Sequence, residues 1–366
     1  MKVHLWVPGI AGFGGGIASF SREVALALQS LGHDLHLMSK LDPPGTWHSI
    51  PLRGAGNLPQ RLQTPVFAAQ ALGSYARRRP AHVITTHLNF SPLAFCIKRL
   101  FQTPYTVVAH GIDVHEGLSS ARLAGVRGAE RVLAVSAWTR QRVLDLGGID
   151  PERVAILPNT MDEARFAMGL RPEYLAARYK LIAGEKVVLT VARLDPAEGY
   201  KGYDRIVEAL PAIRQACGPV RFVIAGAGGD RTRVEALART LGVADALTFA
   251  GFVPDHELPD HYRLADAFAL PSTGEGFGIV FLEAMACGTP VLAGNRDGSV
   301  DALDGGTLGQ LVDPADVDAV ARGIIALLRR EGPAVWYEKQ ALRNAVVERF
   351  GRAAFLQTLR RVLPFQ

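Results

Sequence analysis

Two glutamates eight positions apart, Glu275 and Glu283, are the residues best placed to do chemistry in this chain. They lie within the segment running from Pro271 to Pro290, which reads as a strand end, a glycine-containing turn and a helix starting near Phe277 or Gly278. A helix start offers unpaired backbone N–H groups and the positive end of the helix dipole, an arrangement suited to phosphate. Gly276 and Gly278 let a ligand approach the backbone with no Cβ in the way. With Glu275 in the turn and Glu283 about two helical turns further on, the carboxylates can reach different parts of one extended ligand. A glycosidase acid–base pair is a rival reading. Eight residues of helix rise cover about 12 Å, more than the roughly 5–9.5 Å kept by paired glycosidase carboxylates. A helix-capping Glu275 with a surface Glu283 is the bland alternative.

The elements that must position these residues alternate strand with helix, twice over. Strands are expected at Lys2–Val7, Asp34–Met38, His82–Thr86, Tyr105–Ala109, Arg131–Val135 and Arg153–Leu157, with a Pro/Gly-rich stretch from Pro43 to Pro59. A second series begins near Lys186, with strands at Lys186–Val191, Val220–Ala225, Leu247–Ala250, Ala267–Leu270 and Pro290–Ala293. Such alternation implies parallel sheets covered on both faces. Val335–Leu363 reads as helix beyond the second sheet. Ligands of open parallel sheets bind beyond the carboxyl ends of the strands. That rule singles out Gly9–Gly16, His87, His110, Ser136, Arg193, Gly226–Gly229, Pro271–Gly278 and Gly294–Ser299.

A length of 366 residues favours two domains. No apolar run approaches the roughly 20 residues that span a bilayer, and Lys2–Val7 suits a buried strand better than a signal peptide. Cys96, Cys217 and Cys287 lack metal-ligand spacing and fit a reducing cytosol. Residues 1–165 hold 17 Lys/Arg against 11 Asp/Glu, so the basic excess sits in that half. A peripheral contact with an anionic membrane and an ordinary solvated surface are the two readings of that excess. Nucleic acid is not expected, for the excess is small and no binding motif accompanies it. Neither Gly12-x-Gly14 nor Gly226-x-Gly228 completes a dinucleotide fingerprint, since Ile17 and Arg231 occupy the third positions. His256-Glu257…His261 misses the zincin spacing and contains Pro259, so no metal site is expected. Asp316-Val-Asp318 reads as helix capping.

Taken together, the motifs resemble those of the GT4 family of retaining GT-B glycosyltransferases, in the expected order along nearly the whole chain. Glu275 to Glu283 resembles its E-x7-E motif, and Arg193 to Gly202 its diphosphate-binding Arg and Lys-Gly element. Gly14-Gly-Gly16 resembles its N-terminal glycine loop, His110-Gly111 its His-Gly motif, and Pro158-Asn-Thr-Met-Asp162 its interdomain segment. The resemblance implies an α/β GT-B fold of two doubly wound, Rossmann-like domains facing a central cleft. The expected division is 1–165 on the acceptor side and 166–340 for the nucleotide sugar, with 341–366 crossing back to the first domain. It implies transfer of a hexose from a UDP- or GDP-sugar to a hydroxyl of a lipid, glycan or small molecule, in the cytoplasm. A nucleotide-sugar epimerase or hydrolase of the same fold is the alternative. No metal or cofactor beyond the nucleotide-sugar co-substrate is implied.

Carried over by position, Arg193 and Lys201 would bind the donor diphosphate, Glu283 the ribose hydroxyls and Glu275 the donor sugar. The backbone at Phe277, Gly278, Ile279 and Val280 would cradle phosphate, with Gly276 also against the substrate, and Phe252 and Val253 would lie near the base. His110 would stand beside the transferring sugar, and Gly15 and Gly16 would approach the phosphates from the other domain. The resemblance implies that acceptor choice lies in the loops Asp42–Leu62 and Ile112–Leu123. One departure stands out. Residues 294–301, Gly-Asn-Arg-Asp-Gly-Ser-Val-Asp, stand where many members of the family it resembles have a Gly-Gly-x-x-Glu sequence, with Asp301, one carbon shorter than Glu, at the acidic position.

Overall fold

The computed structural model describes every residue except Phe13, Glu116 and Gln366. Phe13 of the Gly9–Gly16 loop and Glu116 of the Ile112–Leu123 loop thus lie outside the described residues. The chain divides into two compact units, Met1–Thr160 with Phe355–Gln366, and Met161–Ala354.

The first unit is built on an eight-stranded sheet. Its strands are β1 (Lys2–Val7), β2 (Asp34–Ser39), β3 (Gly45–Trp47), β4 (Ile50–Gly54), β5 (His82–Thr85), β6 (Tyr105–Ala109), β7 (Arg131–Ala134) and β8 (Val154–Ile156). Their order is β3-β4-β2-β1-β5-β6-β7-β8, and every pairing is parallel except β3 with β4. β1 is buried from Val3 to Val7, as both-face coverage by helices demands. Trp6, Phe67, Val83, Tyr105 and Val132 belong to its core. The Pro43–Pro59 stretch folds as a hairpin, with Trp47 paired to Ile50 and both linking residues at positive φ (His48 45°, Ser49 65°). Two left-handed residues between antiparallel strands make the turn twist with its strands.

The second unit carries a six-stranded parallel sheet of β9 (Lys186–Val191), β10 (Val220–Ala225), β11 (Leu247–Gly251), β12 (Ala267–Leu270), β13 (Val291–Gly294) and β14 (Gln310–Val312). The order β11-β10-β9-β12-β13-β14 shows the chain starting in the middle, running to one edge, then returning to the other. The strand order therefore reverses between β9 and β12, and in the first sheet between β1 and β5. Those switch points open the crevices in which such sheets bind ligands. The expected Val335–Leu363 helix is two helices, Lys339–Phe350 and Arg352–Val362. The break at Gly351 comes where the Glu163 carboxylate accepts the Arg352 N–H at 2.6 Å, and a Cβ at Gly351 would collide with that carboxylate.

Candidate active site

In the second unit the two basic residues read from the sequence follow β9, on the switch-point side. Arg193 comes two residues after the strand, and its guanidinium pairs with Glu198. The Arg193 side chain is 74% exposed whereas that of Glu198 is 8% exposed, so a buried carboxylate steers an otherwise solvated cation. Lys201 ends a short 3-10 segment, Pro196–Lys201, and pairs with Glu275 where both side chains are largely enclosed (16% and 15% exposed). Burial alone would push the Lys201 ammonium down. The Glu275 carboxylate beside it more than reverses this and holds it charged, well above the usual lysine range.

The backbone explains why residues 74 positions apart meet. Thr273 N–H donates to the Tyr200 carbonyl at 2.9 Å. Gly202, at φ +71°, leads into the helix Tyr203–Cys217, and a Cβ there would strike the Pro271 carbonyl. Only glycine combines that left-handed φ with that proximity. On the other side of the turn, the Asp297 carboxylate accepts the Glu275 N–H and the Ser272 hydroxyl, each at 2.7 Å, and the Ser299 N–H at 2.9 Å. Gly298 N–H donates to the Glu275 carbonyl at 2.8 Å.

The helix Ile279–Ala286 starts after Gly278, whose φ is +88°, so Gly276, Phe277 and Gly278 precede it and Ile279 and Val280 form its first turn. No side chain caps that end, and the first N–H groups of a helix lack partners within it. Phe277 is buried edge-on against Phe350, rings 5.6 Å apart, which fixes the turn from below. Glu283 is not the surface residue of the bland reading: it is buried, and its Oε2 accepts the Tyr262 hydroxyl at 2.7 Å. Burial raises the Glu283 carboxyl to about 7, although the hydrogen bond from Tyr262 works in the opposite direction. Phe252 and Val253 follow β11, and Phe252 is 78% exposed.

The first unit holds the remaining candidates. Gly15, at φ +98°, is the N-cap of the helix that starts at Gly16 (Gly16–Ser30). The loop before it is tied down by the buried Asp42, whose carboxylate accepts the N–H groups of Ile10 (2.6 Å), Ala11 (3.0 Å) and Gly12 (3.3 Å). His110 follows β6. Its Nε2–H donates to the Thr86 carbonyl at 2.8 Å, since a carbonyl can only accept, and its ring meets Phe20 edge-on. The remaining nitrogen, Nδ1, is then an acceptor. Burial drives the ring down to about 4, so it is neutral near pH 7. Asp113 accepts the His110 backbone N–H at 2.9 Å.

Within the second unit, Lys201, Glu275 and the helix start are thus brought together, while Phe252 and Val253 follow the edge strand. Four residues that organise these sites had no such role read from the sequence: Asp297, Tyr262, Asp42 and Glu198. Asp297 alone had a signal, an Asp-Gly pair just after a predicted strand. Among the described residues, no three His, Cys, Asp or Glu side chains form a metal-ligand set. His261 is hydrogen-bonded to Tyr179 and to the Glu257 carbonyl.

Residues 175–345 match the family described as Glycosyl transferases group 1, and residues 15–160 match the Glycosyl transferase 4-like domain. The chain is similar to the GDP-mannose-dependent alpha-(1-6)-phosphatidylinositol monomannoside mannosyltransferase of Mycobacterium tuberculosis, 39% identical over 214 residues. That match covers 55% of this chain and 53% of the relative, so the chain spans about half the length of that enzyme. A D-inositol 3-phosphate glycosyltransferase of Geodermatophilus obscurus is 32% identical over 366 residues, covering 88% of this chain and 79% of the relative. Among solved structures, Anabaena HepE in complex with UDP and glucose superposes with a TM-score of 0.78 at 21% identity, covering 99% of this chain and 98% of that one. With both units matched and a relative aligned over most of its length, the chain belongs to the group 1 glycosyltransferases and has their GT-B fold.

Proposed function

We propose that this chain is a retaining glycosyltransferase that moves a hexose from a nucleotide sugar to a hydroxyl of a lipid, glycan or small molecule. The observation that carries the reading is the enclosed Lys201–Glu275 pair, set at a sheet switch point beside an uncapped helix start. When a glycosyl–phosphate bond breaks, negative charge grows on the leaving diphosphate. Lys201, Arg193 and the backbone at Phe277–Val280 supply fixed positive charge where it develops. A diphosphate that draws on the Lys201 ammonium frees the Glu275 carboxylate to accept hydroxyls of the sugar. Glu283, steadied by Tyr262, takes the ribose hydroxyls, and Phe252 and Val253 border the base. Gly15 and Gly16 serve the phosphates, while neutral His110 stands beside the sugar as an acceptor of hydrogen bonds. We assign no side-chain nucleophile. Retention follows from same-face attack, with a donor phosphate oxygen taking the acceptor proton. In this reading the two cations and the helix start do that work, and no metal is assigned.

GDP-mannose and UDP-glucose are the first donors to try, because the M. tuberculosis relative is named for GDP-mannose and HepE was crystallised with UDP and glucose. A thermal-shift screen of UDP, GDP, ADP and their sugars should show one nucleoside diphosphate raising the Tm together with its sugar. No shift with any of them would overturn the reading. With the donor known, a free or isomerised sugar as the main product would favour the hydrolase or epimerase alternative.

We also propose that the first unit meets an anionic membrane surface on the cytoplasmic side. Arg77, Arg78 and Arg79 close the helix Gln60–Arg78, and Tyr75 on that helix stacks on Phe101, rings 4.4 Å apart. Exposed Leu72, Leu100 and Phe101 therefore adjoin exposed Arg77, Arg78, Arg79 and Arg99. Apolar side chains that insert beside cations that bind headgroups suit an interfacial contact. The protein should sediment with vesicles containing phosphatidylglycerol but not with pure phosphatidylcholine, and Arg77→Glu with Arg78→Glu should release it. Equal behaviour toward both vesicles would contradict the contact.

A further inference from the structure

We infer that Asp297 is a positioning residue for the sugar-binding turn, holding the Glu275 peptide through its buried carboxylate. The inference rests on the donor-site reading above. Asp297 is 2% exposed, and each of its oxygens is engaged. Oδ2 accepts the Glu275 N–H and the Ser272 hydroxyl, both at 2.7 Å, and Oδ1 accepts the Ser299 N–H at 2.9 Å. The next residue completes the grip, for Gly298 N–H donates to the Glu275 carbonyl at 2.8 Å. A Cβ at Gly298 would run into the Gly276 carbonyl, so the two backbones touch directly. Both backbone polar groups of Glu275 are therefore held by one dipeptide, Asp297-Gly298. The Ser272 hydroxyl also lies 3.2 Å from the Ser299 hydroxyl, which ties the end of β12 to the loop after β13 through the same carboxylate.

The consequence is specific to Glu275. Lys201 has its own anchors, the Tyr200 carbonyl to Thr273 N–H bond and the approach of Gly202 to Pro271. Loss of the Asp297 carboxylate thus lets the Glu275 carboxylate wander while the ammonium stays in place. A carboxylate buried among three donors also costs free energy unless each bond is kept, which argues for a positional role over an incidental one.

The test uses the full-length chain with Asp297→Asn, nearly the same shape but with an amide N–H₂ set against donors, and Asp297→Ala. In both, the Glu275 amide should exchange its hydrogen faster in native-state exchange followed by mass spectrometry. The Kd for the nucleoside diphosphate found in the thermal screen should stay within about threefold of wild type. The kcat for sugar transfer should fall by about 10–10²-fold, the scale of a misplaced reacting group. Unchanged exchange at Glu275 in either folded variant would overturn the inference, and so would nucleotide binding that falls in proportion to kcat. The exchange arm needs no turnover. A wild-type chain without transferase activity would therefore sink the function proposed above and leave the Asp297 inference to be decided by exchange.

Discussion

Lys201→Ala is expected to lower the kcat of sugar transfer by about 10²–10³-fold, the cost of losing a preorganised charge aimed at a developing anion. The side chain is enclosed, paired with Glu275 and held fully charged, so its position is fixed before a donor arrives. The substitution removes that cation and leaves the Glu275 carboxylate without its counter-charge. Arg193→Ala should act in the same direction but nearer the lower end, because the Arg193 side chain is mostly solvated and only Glu198 steers it. Initial-rate kinetics at saturating donor separate the two. Near-normal kcat in both variants would remove these residues from the leaving-group site.

Glu283→Gln is expected to weaken nucleotide binding by about 10–10²-fold, as for a lost hydrogen bond to a charged group, and to abolish a pH dependence. The carboxyl of Glu283 is pushed up to about 7 by burial, against the opposing hydrogen bond from Tyr262. Ribose hydroxyls donate to the ionised form and so favour it. Affinity is therefore full above about pH 7 and falls as the pH drops through that value, by at most about tenfold per unit. The same linkage requires proton release on binding near neutral pH, which calorimetry in buffers of different ionisation enthalpy detects. In Glu283→Gln the profile should be flat. A wild-type affinity that does not change between about pH 6 and pH 8 would contradict the assignment of Glu283 to the ribose.

Both doubly wound sheets were legible because their strands are short, apolar runs bounded by glycine, proline or polar residues, with helices of regular period between them. Lys2–Val7, Tyr105–Ala109, Lys186–Val191, Val220–Ala225 and Ala267–Leu270 fall where expected. What escaped has physical reasons. The β3–β4 turn uses His48-Ser49 in place of the Asn-Gly type that announces a hairpin, so its positive φ angles have no residue signature. β14 is three residues long and follows a Gly-Gly pair, too short for any period to show. The helix break at Gly351 depends on a carboxylate 188 positions away, Glu163, whose hydrogen bond to Arg352 no local pattern contains.

Much the same holds for the site. Glu275 and Glu283 drew notice by their spacing around a helix start, and Arg193 and Lys201 by the motifs they resemble. The groups that aim them come from elsewhere in the sequence. Tyr262 reaches Glu283 from another helix, and Asp42 gathers the glycine loop from beyond β2. Asp42 opens the loop Asp42–Leu62, and its buried carboxylate serves three backbone N–H groups that no local pattern announces. Such second contacts are set by tertiary packing, which a single sequence read locally does not display.

The most direct test of the donor site is calorimetric titration of UDP and GDP into wild type, Lys201→Ala and Arg214→Ala. Arg214 pairs with Asp245 on the surface of the same unit and controls for the mere loss of a positive charge. One of the two nucleotides should bind wild type and Arg214→Ala alike and bind Lys201→Ala at least about tenfold more weakly. Equal affinity in all three proteins would contradict a donor site built on Lys201 and Glu275.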